Sequence, residues 1–120
     1  MNRFRVTILL AALTGVLAIA APSQAALPKL RGTVGPGFTI TLTKLGKKVI
    51  TLKAGTYSIT VADKSNIHNF HLRGPGRVNK EITSIGFVGT KTVIVKLVKG
   101  RYTYVCDPHF TSMKGAFTVT

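Results

Sequence analysis

Carboxylates are nearly missing from this chain. Asp63, Glu81 and Asp107 are its only acids, against 17 lysines and arginines, for a formal charge of +14 over 120 residues. Sulfur is as scarce. Cys106 is the one cysteine, and Met113 the one methionine besides the initiator. A single thiol cannot close an intramolecular disulfide, so a small exported domain of this composition must be held by its core, a metal, or both. No cysteine follows the apolar N-terminal segment, which excludes a lipid-anchored cysteine terminus. The bases are scattered and form no compact block or arm. A nucleic-acid surface would interleave a basic groove with aromatic side chains, so that class is excluded. Helical periodicity is also absent beyond the first residues, which points away from any helical bundle.

What is present begins with a leader. Asn2-Arg3-Phe4-Arg5 is a short basic start, Val6 to Ala21 is almost wholly apolar, and Pro22-Ser23-Gln24-Ala25 offers the small residues a signal peptidase reads. The apolar run is short for a membrane span, which needs about 20 residues. Residues 1–25 are therefore expected to be a cleaved signal peptide, and residues 26–120 one exported domain, periplasmic or secreted. Loss of Arg3 and Arg5 takes the charge from +14 to +12, so the domain stays strongly basic. Such a surface keeps a protein soluble and steers it toward an acidic partner or an anionic envelope.

Alternation with period two then dominates. Gly32 to Gly37 reads as a loop or irregular edge. Phe38, Ile40 and Leu42 interleave with threonines as a half-buried strand, Lys44-Leu45-Gly46-Lys47 is a turn, and Val49 to Leu52 is the returning strand. Leu45 is an apolar residue at a turn tip with no role the core can give it. Tyr57, Ile59 and Val61 mark another strand, and Asp63 to Asn66 a polar loop. Residues 77–89 read as loop with one short strand. Thr90 to Val98 is rich in β-branched residues, with Val93, Val95 and Leu97 on one face. Tyr102, Tyr104 and Cys106 share a face of the next strand, and Phe117 and Val119 face the core from the last. The expected fold is all-β, a two-sheet Greek-key β-sandwich, and the expected state a monomer.

The chemistry converges on Cys106-Asp107-Pro108-His109-Phe110-Thr111-Ser112-Met113. A free thiol in an oxidising compartment is a liability unless something occupies it, and metal ligation is the simplest occupant. Two histidines and a cysteine in a plane with a distant methionine is the donor set of a blue-copper site. Cys106, His109 and Met113 supply three of those four, with Pro108 limiting the loop between the first two. The fourth must come from His68 or His71. Three apart on an extended segment, they point to opposite faces. His68, next to the polar loop, is the expected ligand, and His71 a surface or supporting histidine.

Asn66-Ile67-His68-Asn69-Phe70-His71-Leu72 together with Cys106-Asp107-Pro108-His109…Met113 resembles the cupredoxins, in particular the plastocyanin, pseudoazurin and amicyanin branch. The resemblance spans Phe38 to Thr120. It implies one type 1 copper ion held by His68, Cys106, His109 and Met113. Asn69 would pin the two ligand loops together, and Pro108 matches a proline in the amicyanin loop. Three residues separate His109 from Met113, where amicyanin has two and plastocyanin four. The implied function is single-electron transfer between redox partners, with His109 as the exposed port, rather than an enzymatic activity. A copper trafficking or detoxification protein could use the same ligands. A cysteine hydrolase could not, because His109 follows Cys106 too closely and Asp107 is the only acid nearby. Zinc accepts thiolate and imidazole, but a thioether ligand favours copper.

Overall fold

The computed structural model describes residues 15–18 and 26–120. The expected signal peptide therefore lies outside the described residues, apart from the four at 15–18. Ten strands follow: β1 (Lys29–Val34), β2 (Ile40–Lys44), β3 (Lys47–Lys48), β4 (Thr51–Leu52), β5 (Gly55–Asp63), β6 (Phe70–Gly74), β7 (Val78–Thr83), β8 (Gly89–Leu97), β9 (Gly100–Val105) and β10 (Lys114–Val119). They form two five-stranded sheets, ordered β3-β2-β1-β5-β8 and β4-β10-β9-β6-β7. Both are mixed: β1 runs parallel to β5 and β4 parallel to β10, while the other pairs are antiparallel.

Alternation explains the core directly. Tyr57, Ile59 and Val61 on β5, Val95 and Leu97 on β8, and Tyr102 and Tyr104 on β9 are buried, as are Phe117 and Val119 on β10. Burying these rows between two sheets is what holds the sandwich together. Aromatic rings stack within it: Phe70 on Tyr104 at 5.5 Å between centroids, and Tyr102 on Phe117 at 5.3 Å. The Tyr102 hydroxyl accepts from the Val98 N–H at 3.0 Å and lies 3.0 and 3.1 Å from the Pro75 and Val98 carbonyls, which compete for its proton.

Four expectations are corrected. Of the stretch Gly32 to Gly37, expected to be loop or irregular edge, residues 32–34 belong to strand β1, which begins at Lys29. Gly32 belongs in it because a Cβ there would meet Val61 Cγ2 and the Phe70 ring at 2.9 Å. The hairpin return is only Lys47–Lys48. After Val49 donates to the Leu42 carbonyl, the chain crosses over, and Thr51–Leu52 joins the other sheet beside β10. Asp63 is not loop but the buried last residue of β5, accepting from the Ser65 N–H at 3.1 Å. Phe38 precedes β2 and is 60% exposed rather than core.

Strand direction gives the sandwich two distinct ends. The C-terminal ends of β1, β5 and β9 and the starts of β2, β6, β8 and β10 gather at one end. There Gly35, Ser65, His68, Cys106 and Met113 come together. The β2–β3 turn, the start of β5 and the end of β8 lie at the other.

Candidate metal centre

Strand β9 delivers Cys106 at its end in extended backbone, and a single turn of 3-10 helix, Asp107–His109, follows at once. Pro108 sits in that turn, where its missing N–H is no loss. The loop then closes on itself through the backbone. His109 N–H donates to the Cys106 carbonyl at 3.1 Å, Met113 N–H to the His109 carbonyl at 2.8 Å, and Cys106 N–H to the Met113 carbonyl at 3.0 Å. Cys106, His109 and Met113 are thus bonded to one another before any side chain takes part.

The side chains converge on one point. His68 Nδ1 lies 3.1 Å from His109 Nδ1, and Cys106 Sγ lies 3.6 Å from the first and 3.5 Å from the second. A point equidistant from the three is about 2.0 Å from each, the circumradius of that triangle, which is the bond length a first-row cation makes to imidazole. Cys106, His68 and Met113 are buried, and His109 is half-buried. Among the described residues, His68, Cys106 and His109 form the one cluster of side chains arranged to hold a metal ion. A buried thiol flanked by two imidazole nitrogens at these distances, with a thioether donor in the same closed loop, fits one type 1 copper ion.

The comparisons with known proteins agree. The sequence profile of the copper binding proteins, plastocyanin/azurin family, matches residues 38–120. This chain is a member of that family. Among solved structures, rusticyanin from Thiobacillus ferrooxidans is similar at 24% identity with a TM-score of 0.53, over 77% of this chain and 76% of its own. Auracyanin A, a "blue" copper protein from the green thermophilic photosynthetic bacterium Chloroflexus aurantiacus, is similar at 18% identity with a TM-score of 0.52, over 77% of this chain and 98% of its own. No curated protein sequence matches the chain. At these identities the structural likeness establishes the cupredoxin fold.

In this cupredoxin the two loops are tied together by one buried amide. Asn69, next to His68, accepts from the Asp107 N–H at 2.7 Å and donates to Asp107 Oδ2 at 2.7 Å. It thereby bonds both backbone and side chain of the residue that follows Cys106. His71 Nδ1 meets the same Asp107 oxygen at 2.7 Å, and its Nε2 meets Asn79 Oδ1 at 2.6 Å. Arg73 adds a contact to Asp107 Oδ1 at 3.4 Å. Burial works to raise the Asp107 pKa. The hydrogen bonds from Asn69 and His71 and the charges of His71 and Arg73 outweigh it and hold the carboxyl below the ordinary carboxylate range.

The structure brings His68, Cys106 and His109 together, places Met113 buried at the close of their loop, and sets Pro108 between Cys106 and His109. Asn69 joins the loops. His71 stands outside the donor cluster, gripping Asp107. Three contributors were not singled out by sequence reasoning. Asp107 carries no motif and shows its role only through its partners. Phe38, expected on the core face of a strand, instead lays its ring edge-on to His68 and His109 at 5.3 and 4.9 Å. Gly35, at φ 71°, lies against His68: a Cβ there would be 3.3 Å from His68 Cδ2 and 2.9 Å from Ser65 Cβ. The Gly35-Pro36-Gly37 stretch signals a turn, but nothing in it points to a histidine 33 residues away.

Proposed function

We propose that this chain is an exported one-electron carrier, in which His68, Cys106, His109 and Met113 would hold a single type 1 copper ion. The observation that carries this reading is the 3.1, 3.5 and 3.6 Å triangle of two imidazole nitrogens and a thiol sulfur. Copper bound there would cycle between Cu(I), which suits thiolate, and Cu(II), with imidazole serving both. The protein's own part is to keep its donors still. Three backbone bonds within residues 106–113 and the Asn69 clamp leave the ligand loop little freedom to rearrange, so little reorganisation opposes electron transfer.

His109 is the least buried of the donors, and Phe38 and Phe110 stand exposed near it. That makes its edge the port for electrons. On the outer face of the second sheet an open groove of about 670 Å³ runs beside the ligand loop, where Arg73, Arg101 and Lys114 surround Val105 and Phe110. A redox partner with an acidic surface would find complementary charge there. The leader expected over residues 1–25 would deliver the domain to the periplasm or the medium. Burial of Cys106 and His68 favours a carrier over an enzyme, since no substrate reaches the thiol. The same burial disfavours a trafficking role, which needs donors that an acceptor can approach.

Colour tests the reading. Protein given one equivalent of Cu(II) should turn intensely blue or green from thiolate-to-copper charge transfer, and Cys106→Ser should not. A colourless wild-type complex would sink it.

A further inference from the structure

The end of the sandwich opposite the metal centre combines two features that the copper chemistry leaves unexplained. The first is Leu45. It and Gly46 form the two-residue turn between Lys44 and Lys47, with φ of 49° and 77°. Both central residues in the left-handed region is the turn that matches strand twist, and it prefers asparagine, aspartate or glycine at the first position. A leucine there bears a steric cost. It is also 93% exposed and so recovers nothing by burial in the core. Ile50, where the chain crosses between sheets, is a second large apolar side chain at this end, 69% exposed.

The second feature is charge. Lys44, Lys47, Lys48 and Lys53 flank these two apolar side chains, with Lys44 and Lys47 directly paired and Lys48 opposite Thr43. No acidic side chain lies among them. The three acidic side chains belong to the other end: Asp63 against Ser65, Glu81 against Asn69, and Asp107 beside Cys106. Lysines with long apolar stems around a protruding aliphatic tip are what an anionic lipid surface recognises. The ammonium groups meet the headgroups, while the aliphatic side chains enter the boundary with the acyl chains.

We infer that this end docks the protein on an anionic phospholipid surface, with Leu45 and Ile50 inserted and the four lysines on the headgroups. The metal centre, at the far end of the strands, then faces away from the lipid and stays open to a partner. Docking of this kind is peripheral; among the described residues no helix is long and apolar enough to cross a membrane. It does not depend on the copper reading, because the surface exists whether or not the donors are loaded.

The test is co-sedimentation with vesicles, using protein purified as the cell makes it, its N-terminus read by mass spectrometry. Wild type should pellet with vesicles containing phosphatidylglycerol and remain in solution with pure phosphatidylcholine. Removing two lysine charges with Lys47→Gln and Lys48→Gln should weaken partitioning about 30-fold. Leu45→Asn suits the left-handed turn better, so it should keep or raise Tm while lowering lipid binding about fivefold. Lys91→Gln with Lys114→Gln, charges nearer the metal end, should change binding much less. Equal binding to neutral lipid, an unaltered Leu45→Asn variant, or equal losses from both lysine pairs would each overturn the inference. So would binding to immobilised polyglutamate that matches the lipid in strength and ignores Leu45, since the surface would then be one for acidic protein.

Discussion

Asn69 is a single side chain with two 2.7 Å hydrogen bonds to one residue of the neighbouring loop. Because it is buried, removing it strands the Asp107 N–H and takes a donor from the carboxylate. Asn69→Ala should therefore cost about 2–3 kcal/mol, read as a lower urea midpoint, since one of the two bonds is to a charged group. Asp107 itself sets a pH dependence. Its folded pKa lies below the ordinary 3.8, so its stabilising contribution is fully present above that value and is lost as pH falls through the lower, folded one. The Tm deficit of Asp107→Asn should be plain at pH 6 and shrink below pH 3.8; a deficit constant with pH would show that the charge is not what matters. Pro108 has no N–H to offer the sulfur, which should leave the thiolate more electron-rich. Pro108→Ala should raise the midpoint potential in voltammetry, and an unchanged or lower midpoint would remove that tuning role. At this scale the donors were legible in sequence because their chemistry is rare: one cysteine, one methionine beyond the initiator and three histidines leave few combinations. Asp107, Phe38 and Gly35 were not, because their importance lies in neighbours 30 to 71 residues away, which no local pattern encodes.

Among the elements, legibility followed the burial pattern. β5, β8 and β9 read clearly because apolar side chains alternate with polar ones on strands buried on one face. β1 alternates too, with Leu30, Gly32 and Val34 inward, but the middle position is a glycine and so reads as a break. The Phe70 ring and the Val61 side chain packed against it explain why no larger residue fits. The same device recurs where β10 crosses Tyr104. A Cβ on Gly115 would overlap the Tyr104 ring, so the glycine is what allows that ring to lie flat and stack on Phe70. Gly115→Ala should destabilise the fold by about 1–3 kcal/mol through overpacking. Because β10 begins one residue after Met113, it should also shift the absorption band of the copper-loaded protein. Gly37→Ala, with nothing near its Cβ position, is the control and should do neither.

At the scale of the whole molecule the charge is uneven as well as large. Acids gather at the metal end and lysines crowd the opposite one, so the sandwich is polarised along its strands. The metal end is not thereby acidic. Arg73, Lys64, Lys80, Lys91 and Lys114 outnumber Asp63, Glu81 and Asp107 there, and Asp107 is already engaged by Arg73 and His71. An anionic reactant approaching His109 therefore meets a net positive field, reinforced at long range by the rest of the chain. Salt should expose this. Between roughly 0.01 and 1 M ionic strength the Debye length falls from about 30 to about 3 Å, which moves the distant lysines from felt to screened. Oxidation of the Cu(I) protein by ferricyanide, an anion, should slow steeply over that range, while oxidation by a tris-phenanthroline cobalt(III) cation should quicken. Opposite slopes are the signature of steering. Two flat profiles would mean that the basic surface does not guide partners to the metal centre, and would leave its charge to serve the lysine-rich end alone.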